Sequence, residues 1–324
     1  MESDRSIPEL KARIRQLERQ IEGLQAIARS QRNWRDKFRP TLHTLDQYPA
    51  RTWSVPPRYL ATGLPRHPPS IAIVTPSLNQ GAYIERTVRS VLAQDYPALR
   101  YTAQDGGSTD DTHSILRQFD GRLSWVSERD DGQSHAINLG FARIDGDIMA
   151  WLNSDDLLLP GTLAYVAQFF CDHPDIDVVY GHRICIDRHD NEIGRIILPR
   201  HDRETIKWLD YIPQETMFWR RRVWDSLGGL DQSFEFAVDW DFILRAHAAG
   251  FRFCRLPRFL GLFRVHDAQK TSLNEDICGR ESNLLRERYL GRHVTPAEIK
   301  SATNAYLLRH VLTVRAYKLR LFRY

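Results

Sequence analysis

The sequence predicts an α/β domain organised on a parallel sheet, and three features carry that expectation. Short apolar runs alternate with amphipathic helical segments from residue 70 to about residue 155. Those runs end in polar or acidic clusters, as the strands of a parallel sheet end at one rim where ligands bind. The chain, with 324 residues and 42% hydrophobic content, is long enough to bury a large core, which excludes a disordered tail or a disulfide-stapled miniprotein.

The first forty residues precede this alternation. Leu10, Ile14, Leu17, Ile21, Leu24 and Ala28 recur at alternating spacings of four and three, the repeat of a coiled-coil seam. Their Ile and Leu placement suits a parallel homodimer through residues 1–35, and an amphipathic helix packed on its own domain satisfies the same pattern. Residues 36–69 carry Pro40, Pro49, Pro56, Pro57, Pro65, Pro68 and Pro69 without periodicity and read as a linker or wrapping segment.

The strand at 70–75 is a bounded apolar run. Helical spacing of Ile84, Val88, Val91 and Leu92 follows it, then a strand at 101–103, a helix at 112–119 and a strand at 123–126. A helix at 136–142 and a buried strand at 147–152 complete the alternation. Beyond 155 the pattern loosens into a helix at 163–170, a strand at 178–180, hairpin-like segments up to 198, and a helix at 238–249 stopped by Gly250. From about 275 the chain is helical again. Residues 271–324 form a basic C-terminal extension whose end holds Arg309, Arg315, Lys318, Arg320 and Arg323 and no acid after residue 300.

The balance of 45 Lys and Arg against 41 Asp and Glu gives a net charge of only +4, which argues against a nucleic-acid partner. Cys171, Cys185, Cys254 and Cys278 form no CxxC pair and fit free thiols of a reducing cytosol. Neither an apolar leader nor a run of about 18 apolar residues occurs, so the expected location is cytoplasmic.

The chemistry is expected at the strand ends. Asp105, followed by two glycines, suits a backbone that passes close to a flat ligand, whereas Asp110 and Asp111 open an apolar helix and read as caps. Asp155 and Asp156 are adjacent carboxylates directly after an apolar strand. They repel each other unless a cation or donors lie between them, which suits a hard metal ion; the alternative is a cap for the next helix. No GxGxxG or GxxxxGK[ST] loop is present to cradle a pyrophosphate, so another group must neutralise one.

Five motifs occur in a fixed order: Ile71-Ala72-Ile73-Val74-Thr75-Pro76-Ser77-Leu78-Asn79, Ser90-Val91-Leu92-Ala93-Gln94-Asp95-Tyr96-Pro97, Asp105-Gly106-Gly107-Ser108-Thr109-Asp110, Asp131-Gly132-Gln133-Ser134-His135-Ala136-Ile137-Asn138-Leu139-Gly140 and Trp151-Leu152-Asn153-Ser154-Asp155-Asp156. Together they resemble the family 2 glycosyltransferases, in the subgroup with an Asp-Gly-Gly-Ser-Thr-Asp motif. The resemblance covers residues 70–270. It implies the GT-A fold, a Rossmann-like mixed sheet flanked by helices, and inverting transfer of a sugar from a UDP-, GDP- or dTDP-sugar to a hydroxyl of a glycan or lipid-linked acceptor.

The resemblance also implies roles. Thr75, Pro76, Ser77, Asn79, Asp105, Gly132, Asn138, Asn153 and Asp155 would surround the nucleotide sugar, with Asp105 taking a hydrogen bond from the base. The Asn153-Ser154-Asp155 triplet matches the family's DxD with Asn at its first position. A divalent ion, Mn2+ or Mg2+, is therefore expected on Asp155, assisted by Asp156 and by His266 of a closing Arg264-Val265-His266 motif. Asp239 matches the family's catalytic carboxylate, although Val238 stands where a Glu usually precedes it; Asp239 and Asp241 are alternatively helix caps. Glu215, Trp219 and Trp240 fall in the acceptor-side segments, with a core position the alternative for Trp219. Displacement of a diphosphate by an alcohol needs such a base and a charge sink.

A nucleotidyltransferase and a nucleotide-sugar-binding scaffold without turnover are the competing readings. The basic, aromatic-bearing tail suits peripheral contact with the inner membrane face, or packing on the domain with a solvated basic side.

Overall fold

The computed structural model describes residues 42, 44–267, 275–322 and 324, and the coiled-coil segment expected at 1–35 lies outside them. Strands β1 (Ile71–Ser77), β2 (Leu99–Asp105), β3 (Ser124–Ser127) and β4 (Ile148–Trp151) form a parallel half-sheet in the order β3-β2-β1-β4. Helices α1 (Ile84–Leu92), α2 (Thr112–Leu116) and α3 (Gln133–Arg143) make the crossovers. All seven residues of β1 are buried, which is why that strand shows an apolar run instead of an alternation.

Register fixes the rim. Ser77 pairs with Asp105, and Asp105 with Ser127, so three strands finish at one level. Helix α3 lies close against β1 because Gly140 has no side chain: a Cβ there would fall 2.4 Å from Val74 Cγ1.

The second half makes the sheet mixed, as the family resemblance implies. It comprises β5 (Leu157–Leu158), α4 (Thr162–Asp172), β6 (Val178–Ile186), β7 (Glu192–Ile196), β8 (Phe218–Arg220), α5 (Arg221–Leu227), α6 (Val238–Ala248) and β9 (Phe253–Arg264). Strand β8 inserts antiparallel between β4 and β6, and β9 runs parallel to β6, giving a nine-stranded mixed sheet. Sequence reading missed β9 because Pro257 and three arginines interrupt its apolar pattern. Pro257 is exposed and lies at an irregularity in the β6–β9 register, where its missing N–H does no harm.

Helices α7 (Glu275–Leu290) and α8 (Pro296–Lys318) follow. Thr295 and Glu298 form a reciprocal capping box at the start of α8, which buries Tyr306, His310 and Val314.

The described part of the proline-rich segment lies against the domain. Arg51 exchanges backbone hydrogen bonds with Glu192, and the Tyr59 hydroxyl accepts from the Phe259 amide at 2.9 Å. Buried Glu192 takes Arg51 (2.6 Å), Tyr48 (2.5 Å) and Arg195 Nε and Nη2 (2.9 and 2.7 Å), tying the wrap to β7. Replacing Glu192 by Ala leaves the inner guanidinium of Arg195 without its counter-ion and is expected to cost about 3 kcal/mol of stability. Arg51→Ala, at an exposed guanidinium, should cost less than about 1 kcal/mol. Urea denaturation of both variants checks the contrast, and equal losses would contradict it.

Candidate active site

The rim gathers most of the expected residues around two loops. At the end of β1, the Thr75 hydroxyl lies 3.0 Å from that of Tyr101, Pro76 is buried in the strand, and the Ser77 hydroxyl is buried with no hydrogen-bond partner among the described residues. Asn79 has a left-handed backbone (φ 53°). Its Oδ1 accepts from the Thr109 amide at 2.9 Å, and its own amide donates to Ser108 Oγ at 2.7 Å. Asp110 does the capping expected of it and more, taking Thr112 N at 3.0 Å and Gly81 N at 2.8 Å. Asp111 makes no side-chain cap.

Asp105 is fully buried and its carboxylate is filled by the protein's own groups. Ser108 N (2.9 Å), Gly107 N (3.1 Å), Ser127 Oγ (2.7 Å) and His113 Nε2 (2.8 Å) reach Oδ2, while Ser108 Oγ donates to Oδ1. Burial alone would raise its pKa, but the bonds from Ser108, Ser127 and His113 outweigh burial and hold it below the usual carboxylate range. Asp130, which sequence reasoning passed over, lies over the next residue: a Cβ on Gly106 would fall 2.8 Å from its Oδ2. Asp130 also accepts the amide of Gly132, the left-handed residue (φ 111°) that starts α3. Asn138 is occupied with the backbone of Leu230, donating to its carbonyl and accepting its amide at 2.9 Å each.

The loop after β4 splits its acids. Asp155 Oδ2 lies 3.0 Å from His266 Nε2, so the structure brings together two of the three residues expected at a metal. Asp156 faces the other way, buried, with Oδ1 accepting the Arg264 amide at 3.0 Å. Burial first, then the charges of Asp155 and Glu215, push its carboxyl well above the ordinary value. Among the described residues no three His, Cys, Asp or Glu side chains converge on one point. A carboxylate–imidazole pair nevertheless suits an ion that draws its other ligands from substrate phosphates and water. Asn153 joins a polar chain, accepting from Gln133 at 2.7 Å and donating to Gln214 at 3.2 Å.

The acceptor-side residues are placed differently from one another. Glu215 is buried in a bidentate pair with Arg183, whose Nε lies 2.8 Å from Oε1. Trp219 is fully buried and packs edge-on against Trp151, and Trp240 is buried with its indole N–H on the Ile206 carbonyl at 2.8 Å. Both indoles therefore serve the core.

Asp239 stands in the first turn of α6, where Ala237 holds the N-cap position. Glu281 of α7 takes the amides of Glu235, Phe236 and Ala237, each at 2.8 Å. Asp241 is not a cap: it pairs with Arg245 at 2.7 Å and Arg288 at 3.3 Å. The Asp239 carboxylate takes the Trp240 amide at 2.9 Å, and no side chain among the described residues hydrogen-bonds it. Burial raises its pKa. A second acid missed by sequence reasoning, Asp210, has one buried oxygen without a partner, and burial followed by the charge of Asp239 lifts its pKa well above normal. Its signal was only a lone Asp in an aromatic segment.

A parallel half ending in polar loops, joined to a mixed half that brings up further acids, is the GT-A arrangement. The model of glycosyl transferase family 2 matches residues 72–229. An uncharacterized glycosyltransferase of Mycobacterium tuberculosis is 30% identical over 185 residues, covering 55% of this chain and 69% of that one. The chain belongs to the family 2 glycosyltransferases and is a transferase enzyme.

Two solved structures show the fold. S. aureus TarS 1–349, in complex with UDP-GlcNAc, superposes with a TM-score of 0.58 at 18% identity, covering 78% of this chain and 76% of that one. The mannosyltransferase PcManGT from Pyrobaculum calidifontis, in complex with GDP-Man and Mn2+, does so at 0.54 and 20% identity, covering 86% and 81%.

Asp105→Asn would set an amide N–H2 against the donors that now converge on the carboxylate. It is expected to lower stability by about 2 kcal/mol or more in urea denaturation. Because the native pKa is depressed, the stabilisation from Asp105 is complete above its ordinary value of 3.8 and is lost as pH falls below it. The variant should lack that acid-dependent component; a wild-type pH profile would contradict the assignment.

Proposed function

We propose that the enzyme transfers a sugar, with inversion, from a nucleoside-diphosphate sugar to an acceptor hydroxyl, and that Asp239 is the general base. The observation that carries this reading is a carboxylate beside the acidic rim that takes only the Trp240 amide at 2.9 Å and no side-chain hydrogen bond among the described residues. Its raised pKa suits a group that must accept a proton near neutrality.

The donor would lie over the ends of β1 and β2, along the backbone of residues 75–79 and 105–107, with Asn153 and Gly132 at its edge. Asp105 acts there by shaping the loop, because its oxygens are already filled. Asp155 and His266 would hold a divalent ion, Mn2+ or Mg2+, which when bound supplies positive charge for the departing diphosphate. Asp239 removes the proton of the attacking hydroxyl as the new glycosidic bond forms and the anomeric carbon–phosphate oxygen bond breaks; the nucleoside diphosphate leaves with the electron pair.

Purified full-length protein given UDP-, GDP- and dTDP-sugars with Mn2+ and an acceptor panel should release nucleotide, and EDTA should suppress that release. Asp239→Asn is expected to lower kcat by about 100- to 10,000-fold with donor binding retained. A variant with near wild-type kcat sinks the base assignment. Because the charge of Asp239 helps to lift the Asp210 carboxyl, Asp239→Asn should lower the Asp210 pKa in an NMR carboxyl titration; an unmoved Asp210 counts against that pairing.

Glycan and lipid-linked acceptors both suit this chemistry, and peripheral contact with an anionic membrane face through the tail belongs to the same reading. It is supported by exposed Leu308, Leu312, Leu319, Leu321 and Phe322 beside exposed Arg315, Lys318 and Arg320. No helix among the described residues is long and apolar enough to cross a membrane. Charge reversal at Lys318 and Arg320 should weaken flotation on phosphatidylglycerol vesicles by about tenfold or more. Undiminished flotation would remove the tail's electrostatic role.

A further inference from the structure

A cavity of about 420 Å³ lies between the turn at Pro57–Tyr59, helix α4, the middle of β9 and the C-terminal tail, and none of the residues assigned to transfer lines it. Arg258 in its wall is only 6% exposed. Its guanidinium lies 4.0 Å from the centre of the Tyr59 ring and 4.5 Å from that of Tyr165. It donates to Thr62 Oγ1 at 2.8 Å and to the carbonyl oxygens of Tyr59 (2.9 Å), Pro160 (3.3 Å) and Gly161 (3.4 Å). All four acceptors are neutral. Its Nε is buried without a hydrogen-bond partner among the described residues. A buried cation without a counter-ion is unfavourable, and an anion entering the cavity would relieve it.

The surroundings sharpen the chemistry of that anion. The stretches that wall the cavity, residues 52–84, 242–266 and 299–324, contain no Asp or Glu, and α4 reaches its first acid only at Asp172. Arg58, exposed, contributes a second guanidinium to the lining. The lining is also apolar where it meets solvent: Leu321 is 70% and Phe322 48% exposed, and Leu60, next to Tyr59 in the chain, is 76% exposed. A soluble anion gains nothing from such a rim. An amphiphile with a charged head and an apolar chain matches both parts.

We propose that this cavity binds the phosphate-bearing headgroup of a lipid, with Arg258 and Arg58 on the phosphate and Leu60, Leu321 and Phe322 against the first part of the acyl chains. The proposal rests on the membrane-face reading of the tail and is independent of the chemistry at Asp239. It makes the tail a specific lipid contact in addition to a diffuse electrostatic one, because two guanidinium groups meet one phosphate at a fixed place.

Calorimetric titration of the full chain with monomeric dihexanoyl phosphatidic acid, dihexanoyl phosphatidylcholine and inorganic phosphate tests it. Phosphatidic acid should bind at least about tenfold more tightly than either of the others. Arg58→Glu, and separately the pair Leu321→Ser and Phe322→Ser, should each weaken it about tenfold with melting temperature unchanged. These positions are exposed, so the variants are expected to fold. Equal affinity for inorganic phosphate would make the cavity a small-anion site and overturn the lipid assignment. No binding of phosphatidic acid, or binding equal to phosphatidylcholine, overturns the headgroup site. If vesicle flotation persists in that case, the membrane-face reading stands without it; phosphatidic acid binding without flotation supports the cavity and removes the membrane face.

Discussion

The rim depends on a buried guanidinium that must find a partner for its donors. Arg264, fully buried at the end of β9, donates to the Asp155 carbonyl at 2.8 Å and the Asp187 carbonyl at 3.1 Å and pairs with the Asp190 carboxylate. Its own amide goes to Asp156. Asp190 is shared with Arg86 of α1 at 2.9 Å. Left unsatisfied, a buried charge of this kind costs several kcal/mol, so the β4 loop, the turn before β7 and helix α1 are fixed to one another by necessity. With Arg264 in place, His266 two residues later meets Asp155.

A second buried pair balances the acids. Arg183 and Glu215 neutralise each other in the core, and the field of that pair reaches Asp156 on one side and Asp239 on the other. Glu215 can sit there only because residue 261 is glycine, where a Cβ would fall 2.8 Å from Glu215 Cγ. Two clusters assigned to different parts of the reaction therefore share one electrostatic neighbourhood. The raised pKa values of Asp156, Asp210 and Asp239 follow mainly from burial, with like charges adding to it.

Local patterns made the parallel half legible. The apolar run of β1, the helical spacing of α1 and the polar strand ends are properties of neighbouring residues, and the structure has each where the sequence puts it. What was not legible depends on distant partners. Nothing near Asp105 in the chain announces Ser127, which helps close its carboxylate, and nothing near Ala237 announces Glu281, which takes the amides just ahead of α6. Trp219 and Trp240 could be read as sugar platforms because aromatic type alone does not tell a core position from a surface one. Strand β9 was hidden by arginines whose partners lie on other elements.

The placement of α8 connects the ends of the molecule to its chemistry. Tyr306 of α8 stacks on Tyr211 at 4.4 Å between ring centres, and Arg309 pairs with Asp202. The Asp202 backbone and His201 in turn engage the Tyr211 hydroxyl, at 2.9 and 3.0 Å. Tyr211 follows Asp210 directly, and Ile206 of the same segment receives the indole of Trp240, the neighbour of Asp239. Residues 201–211 are thus held by α8 on one side and support the paired acids on the other. Truncating α8 would remove Tyr306 from the core and loosen that support, so loss of activity on truncation would not by itself identify a membrane role. Substitutions confined to the exposed tail separate the two effects, because Leu321 is 70% and Phe322 48% exposed and the Phe322 ring stacks on Tyr324.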